Sequence, residues 1–408
     1  MSLMIKLAKR NIFRNTRRTV LTVMLISFGL AALLFTDGFV KGTVKTMVDI
    51  STKTFLGHGQ IHKPGYRASN DVDDYIADLD ELTQAMLKQQ EVQHYSIRTM
   101  SGAMISSSEN VASAFLIGVN GEHESKVGAL KSAMISGKYL SGNGNGNELI
   151  MGYDLADLLE VSLGDRIVLT VSAAHGGDLS QELFRVSGLF KFNDRTMDKT
   201  MVFINLKKSQ QLLNIKGAHQ VAFTLHDVKA ADHSELALWT ALNTQDWEAL
   251  NWRKLVPQLN SILEMSQFST IIVSIILFSV VSLGLINSMF MSIFERHQEF
   301  GVLLALGTRP SQIFFQIMNE GMLIGLLSAL VGLVIGSAFS IWISISGIDY
   351  GNLEMSGLTI NQPIYSIIEP LAFIQWSFSI FVITTLSCLY PAIHAARLSP
   401  SFAMRKVA

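Results

Sequence analysis

The residues of this chain best suited to chemistry are two histidines, His58 and His62, four positions apart in the stretch 57–62. Zinc proteases place two histidines at this spacing on one face of a helix, together with a glutamate that acts as the general base. Here the stretch contains two glycines, is expected to be extended, and has no glutamate. We therefore interpret His58 and His62 as surface histidines and predict no metal site.

Three other patterns fall short of known catalytic or binding motifs. The acidic run 71–74 lacks the glycine and the final glutamate of a calcium loop, and we interpret it as the start of a helix, where acidic side chains are favoured. The glycine–asparagine run 142–147 predicts a flexible loop rather than an anion-binding nest. The patterns G-x-S-x-G and G-x-x-x-x-G-K-[ST] do not occur in the sequence. We predict no catalytic residue and no cofactor bound by this chain.

The composition indicates a membrane protein. The chain has 408 residues, of which 49% are hydrophobic and only 16% are charged, whereas roughly a quarter of the residues in soluble domains are charged. The formal net charge is −1, so no general attraction to nucleic acid is expected. The single cysteine, Cys388, excludes an intrachain disulfide. A large external domain would therefore be held together by its core.

Four long stretches without charged residues predict four membrane-spanning helices. The predicted spans are 19–40, 265–294, 310–346 and 370–393. The N-terminal segment 1–18 carries six Lys and Arg residues, the loop 295–309 two and the tail 394–408 three, while the loop 347–369 carries none. By the positive-inside rule, both termini and the loop 295–309 are cytoplasmic. The segment 41–264 and the short loop 347–369 then lie outside.

The external segment 41–264 alternates strand-like and helix-like patterns. Strands rich in alternating apolar residues are predicted at 94–107, 111–119, 166–172, 182–192, 201–205 and 221–226. Helices are predicted at 80–90 and 207–213. Such a mixture is typical of an α+β domain. The predicted fold is an α-helical membrane protein with four transmembrane helices and a large α+β extracytoplasmic domain inserted between helices 1 and 2.

Small residues recur every three or four positions along the third predicted span. They include the glycines Gly321, Gly325, Gly332 and Gly336. In lipid, such a stripe allows another helix to approach closely, and we interpret it as a helix-packing face. The middle of each span is uncharged, which argues against an ion channel or a proton-coupled carrier. If the protein does work, its energy source lies on another chain.

The loop 295–309 begins with charged residues and then becomes strongly apolar. Such a segment exposes apolar surface to water unless it packs against something else. Its composition is compatible with two partners, a cytoplasmic protein or the membrane interface. An ATPase subunit would dock on this loop.

Four segments together carry a family resemblance. They are the basic stretch 8–15, the stretch 56–66 that opens the external domain, the stretch 295–313 with Glu299-Phe300-Gly301 and Ala305-Leu306-Gly307, and the stretch 390–405 with Tyr390-Pro391-Ala392 and Ala395-Ala396-Arg397. In these segments the chain resembles the FtsX-like, MacB-type permease subunits of ABC transporters, including the lipoprotein-releasing (Lol-type) branch. Spacing and topology agree over essentially the whole chain.

The resemblance implies a permease of the bacterial inner membrane, with its large domain in the periplasm. It implies pairing with a second permease, identical or related, and two copies of a cytosolic ATPase that holds ATP and Mg. A periplasmic adaptor or carrier is a further partner that the resemblance allows. The family's coupling helix maps onto the loop 295–309, and the residues expected to face the ATPase are Glu295, Arg296, Glu299, Phe300, Gly301, Leu306, Gly307 and Arg309.

The function expected from the resemblance is ATP-driven extraction or export of lipoproteins or other amphiphiles from the periplasmic side. Acyl chains withdrawn from a membrane need an apolar surface to receive them. Large apolar residues of the first two spans are candidates for such a lipid-accessible cleft, and they are Phe28, Phe35, Phe39, Met265 and Phe268. Their alternative role is that of ordinary lipid-facing residues.

The chain departs from the family at the hairpin by which a lipoprotein-releasing permease recruits its periplasmic carrier. The corresponding stretch 172–182 contains a short turn at Gly176-Gly177, so we expect this hook to be reduced or missing. Three roles stay open. They are the permease without a hook in a lipoprotein-releasing pair, a MacB-type efflux or envelope permease, and an FtsX-like regulator that transmits motion to a periplasmic partner and transports nothing.

Overall fold

The computed structural model describes residues 10, 14–141, 146–227, 237–351, 353–355, 358–360 and 363–398. Most of the predicted N-terminal segment 1–18 and of the run 142–147, and the end of the predicted tail 394–408, lie outside the described residues. The chain divides into two compact units. We call Met1–Lys45, Leu263–Asp349 and Pro363–Ala408 the helical unit, and Thr46–Ile262 with Tyr350–Gln362 the sheet unit.

The described residues contain fourteen α-helices. They are α1 (Thr16–Ser51), α2 (Tyr66–Ser69), α3 (Leu79–Leu87), α4 (Gly121–Val127), α5 (Tyr153–Leu158), α6 (Arg195–Thr200), α7 (Leu206–Leu213), α8 (Ala237–Leu242), α9 (Trp252–Leu255), α10 (Pro257–Glu295), α11 (His297–Ala305), α12 (Pro310–Ser346), α13 (Pro370–Ser387) and α14 (Leu389–Ala396). A π-helical turn, Thr52–Leu56, follows α1 directly.

Twelve strands occur in the same part of the chain. They are β1 (Gly59–His62), β2 (Val92–Ser106), β3 (Val111–Val119), β4 (Met134–Gly137), β5 (Glu148–Gly152), β6 (Arg166–Ser172), β7 (Leu179–Phe190), β8 (Met201–Asn205), β9 (Gln220–Leu225), β10 (Glu248–Asn251), β11 (Leu353–Met355) and β12 (Leu358–Ile360). The last two form a separate hairpin, and the first ten belong to one sheet.

Four of the described helical segments are long and apolar enough to cross a membrane. They are Thr16–Leu56, Pro257–Glu295, Pro310–Ser346 and Pro370–Ala396, with mean hydropathies of 2.2, 2.5, 2.3 and 1.7 over their most apolar stretches. A helix rises by about 1.5 Å per residue, so a hydrocarbon core of about 30 Å takes up roughly 20 residues. The prediction of four apolar helices is confirmed, and each helix is longer than a membrane crossing needs.

The ends of these helices follow from local sequence. α12 and α13 begin at Pro310 and Pro370. Proline suits this position because the N–H groups of the first turn make no bond within the helix, so its missing N–H costs nothing, and because its φ is already helical. α12 ends at Gly347, whose φ is +66°. A residue with a Cβ rarely adopts this left-handed conformation, so glycine stops the helix here.

Six of the described strands close into a barrel in the sheet unit. Neighbours run in the order β2-β3-β8-β5-β7-β6, and β6 pairs with both β2 and β7 to close the ring. One buried cluster contains side chains from all six strands, among them Ile105, Leu116, Leu149, Leu169, Phe184 and Ile204. Interior side chains fill a barrel of this size, so the barrel has a packed core.

A second buried cluster involves the neighbouring positions on the same strands. Three of its members lie one position away from the barrel-core residues Leu116, Leu149 and Ile204. They are Ile117, Ile150 and Phe203, and they pack with Phe55 of the π-helical turn. Successive side chains of a strand point to opposite faces, so this cluster lies on the outer side of β3, β5 and β8. The turn that follows α1 is therefore part of the core of the sheet unit.

Most of the predicted elements of the external segment are confirmed. β2, β3, β6, β8 and β9, and the helices α3 and α7, lie where the strand and helix patterns predicted them. β7 begins at Leu179, three residues before the predicted start at residue 182. The combination of a barrel, further strands and short helices is the predicted α+β domain.

Candidate functional site

The predicted coupling segment forms a short helix whose first turn is surrounded by charges. α11 is separated from α10 by a break at Arg296. Arg18 of α1 pairs with Glu295 at 2.6 Å, and Arg14 pairs with Glu299 at 2.6 Å. Arg18 also donates a hydrogen bond to Ser292. Two arginines near the start of α1 thus hold both sides of the break.

Arg296 carries this network into the interior of the helical unit. Its guanidinium pairs with Glu299 and with Glu320 of α12, each at 3.2 Å, and its Cζ lies 4.9 Å from the centre of the Phe300 ring. Arg296, Glu320 and Phe300 are buried, whereas Glu299 is partly exposed. Burial tends to raise the pKa of Glu299, but the hydrogen bonds from Arg14 and Arg296 outweigh it and leave the pKa below its usual value. Glu299 is therefore ionised at neutral pH.

The other end of the segment is apolar and exposed. Val302 and Leu303 have exposed side chains, and 78% of Leu306 is exposed. Gly307 has a φ of +92°, and the Arg309 N–H donates to the side chain of Gln312 as α12 begins. The chain therefore turns sharply after an apolar tip. We call residues 295–309 the coupling segment, with a charged base and an apolar tip.

The eight predicted coupling residues divide between these two ends. Glu295, Arg296, Glu299, Phe300 and Gly301 lie at the charged base, where Phe300 and Gly301 are buried. Leu306, Gly307 and Arg309 lie at the apolar tip and the turn that follows it. Sequence reasoning missed Arg14, Arg18 and Glu320 as members of the base. A carboxylate at the edge of an apolar span was the available signal, since such a group needs a partner.

The four predicted packing glycines of α12 lie against two other helices of the same chain. A Cβ at Gly321 would meet Cys388, and one at Gly325 would meet Thr384 of α13. A Cβ at Gly332 or Gly336 would meet α1, at the backbone of Ser27 and at Ala31 and Leu34. The stripe thus lets α12 lie close to α13 at one end and to α1 at the other.

The predicted cleft residues occupy different environments. Phe35 stacks on Phe39 with ring centres 5.6 Å apart and meets the edge of Phe339 of α12 at 5.1 Å. Phe28, Met265 and Phe268 are exposed by 55%, 66% and 67%. The structure therefore brings Phe35 and Phe39 together, with Phe35 against Phe339 of α12, and leaves the other three with exposed apolar surface.

The interpretation of His58 and His62 as surface histidines is wrong. Both are buried. His62 lies in β1, which is flanked by β9 and β10, and His58 directly precedes β1. The Nδ1 atom of His58 accepts a hydrogen bond from the Leu225 N–H. Burial lowers the pKa of His62 to about 4. Both histidines are therefore structural parts of the sheet, and the described residues contain no group of three or more side chains able to hold a metal ion.

The acidic run 71–74 does not start a helix, contrary to its interpretation. Asp71 accepts a hydrogen bond from the Asp73 N–H in a turn, and Asp74 pairs with Lys63 at 3.0 Å. The next helix, α3, is capped instead by Asp78, whose side chain accepts from the Glu81 N–H. The signal for the cap was present, because Asp78 and Glu81 form the pattern of a helix start.

The stretch predicted to lack a hook forms a short connection between β6 and β7. The His175 N–H donates to Asp73 at 2.7 Å, and the His175 ring lies 3.3 Å from the Tyr75 hydroxyl. The residues 173–178 therefore fold back onto the segment that precedes α3.

Two family models match the sequence. The MacB-like periplasmic core domain matches residues 19–237, which is more than half of the chain, and the FtsX-like permease C-terminal model matches residues 271–400. The chain belongs to the family of FtsX-like and MacB-like ABC transporter permeases. The C-terminal match contains the coupling segment, the glycine stripe and the helices α13 and α14.

Relatives of this permease carry transporter names. It is 26% identical over 311 residues, 72% of this chain and 73% of the relative, to the lipoprotein-releasing system transmembrane protein LolC of Xylella fastidiosa. It is 24% identical over 270 residues, 63% of this chain and 61% of the relative, to an uncharacterized ABC transporter permease of Methanocaldococcus jannaschii. Among solved structures, the periplasmic region of MacB from Actinobacillus actinomycetemcomitans matches with a TM-score of 0.36 and 14% identity, covering 50% of this chain and 94% of that one.

Proposed function

We propose that this permease lies in the bacterial inner membrane with its termini and coupling segment in the cytoplasm and the sheet unit in the periplasm. A separate cytosolic ATPase, two copies per pair of permeases, hydrolyses ATP and moves the periplasmic domain. The work done is extraction or export of lipoproteins or other amphiphiles from the periplasmic side. The positive-inside count and the MacB-like periplasmic match support this orientation.

The observation that carries the proposal is the construction of the coupling segment. Its apolar tip offers Val302, Leu303 and Leu306 to a partner, and such exposed apolar surface marks an interaction site. Its charged base is fixed to Arg18 of α1 and to Glu320 of α12 by ion pairs. A displacement of the tip by an ATPase would therefore be passed to two membrane helices at once.

The first test is purification of the permease from its native membranes in a mild detergent, followed by mass spectrometry of the proteins that come with it. We expect an ATPase with a P-loop at one copy per permease. The Leu306→Asp variant places a charge on the exposed tip, where it leaves the buried base untouched, and should lose the ATPase. Absence of an ATPase from the wild-type preparation in several detergents would contradict the proposal.

The choice of amphiphiles as substrates is supported by the exposed side chains Phe28, Met265 and Phe268 and by the similarity to LolC. Each acyl CH₂ that leaves the membrane loses about 0.8 kcal/mol unless an apolar surface receives it. The exposed side chains of Phe28 on α1 and of Met265 and Phe268 on α10 offer such a surface.

The substrate test measures ATP-dependent release of an acylated lipoprotein from proteoliposomes that contain the permease and its ATPase. The Phe268→Ser variant should lower release several-fold at unchanged ATP hydrolysis. Phe378→Ser is the matched control, because Phe378 lies on α13 and is 64% exposed, close to the exposure of Phe268. Equal loss in the two variants would mean that both side chains only face lipid.

A second function, an FtsX-like regulator that transmits motion and transports nothing, is favoured by the connection 173–178. These residues fold back on Asp73 and Tyr75 and do not extend as a hook for a carrier. A complex that hydrolyses ATP and changes the activity of a periplasmic partner, but releases no acylated protein, would establish this second function instead.

A further inference from the structure

The ends of α1 and α10 are joined inside the sheet unit by two neighbouring strands. β1 begins at Gly59, shortly after the π-helical turn, and β10 ends at Asn251, shortly before α10. The strands are antiparallel, and Gly59 pairs directly with Asn251. The two segments that lead to the helices are therefore held one strand spacing apart, about 4.8 Å.

On the side of α1, a buried arginine holds the end of the helix. Arg98 of β2 donates from Nη1 to the carbonyl of Phe55 at 2.6 Å, and its Cζ lies 4.0 Å from the centre of the Phe55 ring. The same guanidinium pairs with Glu124 at 2.7 Å, and both side chains are fully buried. Because a buried charge without its partner is costly, the arginine is fixed in this position and fixes the carbonyl with it.

Other polar groups complete the attachment of the π-helical turn. The last carbonyls of a helix have no partner within the helix. The Thr54 carbonyl accepts from the Ala129 N–H at 3.0 Å, and the Leu56 carbonyl accepts from the Gln60 side chain at 2.9 Å. These carbonyls are thus bonded to groups of the sheet unit.

On the side of α10, a second arginine, Arg67, binds the backbone that leads into the helix. Arg67 donates to the carbonyls of Lys254 and Leu255 at 3.1 and 2.7 Å. These are the last residues of α9, immediately before α10 begins at Pro257. The planar fork of a guanidinium can hold two neighbouring carbonyls, which an ammonium group does less well.

We infer that β1, β10, Arg67 and Arg98, together the stalk clamp, make the sheet-unit ends of α1 and α10 move as one body. Motion that reaches the sheet unit then moves both helix ends together. Separating them between β1 and β10 would break a four-residue strand pair and the Arg67 contacts, while Arg98 keeps the α1 end fixed to β2. The inference rests on the proposed function for the force that drives this motion, and on geometry alone for the rigidity.

Two nitroxide labels measure the distance across the clamp by double electron–electron resonance. The labels replace Lys53 in the π-helical turn after α1 and Gln258 near the start of α10, both with exposed side chains. The only other cysteine, Cys388, is removed by Cys388→Ala. The full-length permease is measured in nanodiscs, first alone and then with its ATPase trapped by ATP and vanadate.

We expect a single narrow distance that changes by less than about 2 Å between the two states, which is within the thermal motion of packed elements and labels. A broad distribution in the permease alone, or any larger shift on trapping, would overturn the inference. If the distance is narrow but vanadate traps no nucleotide, the clamp stands and the proposed function fails, so the two failures are distinguishable.

The Arg67→Ala variant tests the arginine on the exposed side of the clamp. We expect the width of the distance distribution to increase about twofold, because the two carbonyls lose their donor, with little change in the thermal unfolding of the sheet unit. The matched control is Lys254→Ala, which removes a neighbouring exposed positive charge and leaves the carbonyl contacts in place. Equal widths in wild type and Arg67→Ala would show that Arg67 is not part of the clamp.

Discussion

Arg296 lies between two carboxylates and an aromatic ring, and its position decides how the coupling segment is held. Its contacts with Glu320 and Phe300 are buried, while its contact with Glu299 faces solvent. Removing a charge from water costs several kcal/mol, and a partner must compensate for it. Losing one member of the Arg296–Glu320 pair should therefore destabilise the helical unit more than replacing both members by apolar residues.

The first prediction concerns this pair. Glu320→Gln should leave Arg296 buried with a neutral partner and should destabilise the helical unit by about 3 kcal/mol, within the range for breaking a buried ion pair. Thermal unfolding in detergent measures this loss. The double variant Arg296→Met/Glu320→Met should recover most of the stability without recovering transport, because Glu299 still lacks its second arginine. Equal stability of Glu320→Gln and wild type would show that the pair contributes nothing.

The second prediction concerns His62, whose pKa is about 4 in the fold against an ordinary value of 6.5. The unfolded chain binds a proton at His62 before the folded chain does, so stability decreases as the pH falls from 6.5 towards 4. Between pH 7 and pH 5 the loss is about 2 kcal/mol. Chemical unfolding at the two pH values measures it. His62→Gln should reduce the pH dependence by this amount, and an unchanged pH dependence in this variant would contradict the prediction.

At the scale of elements, the sequence predicted the helices and strands whose formation depends on residues close together in the chain. The four apolar helices follow from the high cost of charge in lipid, and β2 and β3 follow from alternating side chains over short distances. The closure of the barrel depends on β6 pairing with both β2 and β7, and no local pattern encodes this. The burial of His62 also depends on strands far away in the sequence, since β9 and β10 cover β1.

For the candidate site, the sequence indicated the segment but not the contacts that hold it. The segment 295–309 was singled out by its change from charged to apolar residues and by its family resemblance. Its attachment was not, because the pair Arg296–Glu320 spans a helix and a turn, and the pair Arg14–Glu299 joins residues 285 positions apart. The glycine stripe of α12 indicated close packing, but only the folded chain shows that α13 and α1 are its neighbours.

The third prediction concerns this stripe. Gly332→Leu places a side chain against the Ser27 backbone and the Leu30 side chain, so α1 and α12 must separate. Overpacking of this kind costs about 1–3 kcal/mol, and we expect a lower unfolding temperature and faster trypsin cleavage of the single chain. The matched control is Val334→Leu, two residues further along α12 at a side chain that is 69% exposed. Equal sensitivity of the two variants would mean that the α1–α12 contact adds no stability.

At the scale of the whole molecule, the proposed cycle requires force to pass through a small number of contacts. The coupling segment reaches α1 through Arg14 and Arg18 and reaches α12 through Glu320. At its other end, α1 runs into the π-helical turn, which Arg98 fixes to the sheet unit. Helix α1 is thus bonded at both of its ends to parts that the proposed cycle must move together. Loss of the contacts at either end of α1 should therefore leave ATP hydrolysis intact and reduce substrate release.

The fourth prediction tests the cytoplasmic end of this path. Glu299→Lys replaces the carboxylate that Arg14 and Arg296 share, and repulsion among three positive charges should release the base of the coupling segment from α1. The ATPase should still bind, because the apolar tip is intact, and ATP hydrolysis should continue. Lipoprotein release per ATP should fall on the order of tenfold, equivalent to about 1.4 kcal/mol of lost coupling. Release and hydrolysis are measured together in proteoliposomes.

Two further variants separate coupling from docking at the same segment. Arg14→Glu added to Glu299→Lys restores an ion pair of opposite direction and should recover part of the release, since both side chains are about half exposed and free to adjust. Leu306→Asp should instead lose the ATPase itself, and with it both hydrolysis and release. If Glu299→Lys and Leu306→Asp fail in the same way, the charged base and the apolar tip form one docking surface and the base transmits nothing of its own. If only Leu306→Asp loses the ATPase, the tip binds the motor and the ion pairs behind it carry the motion.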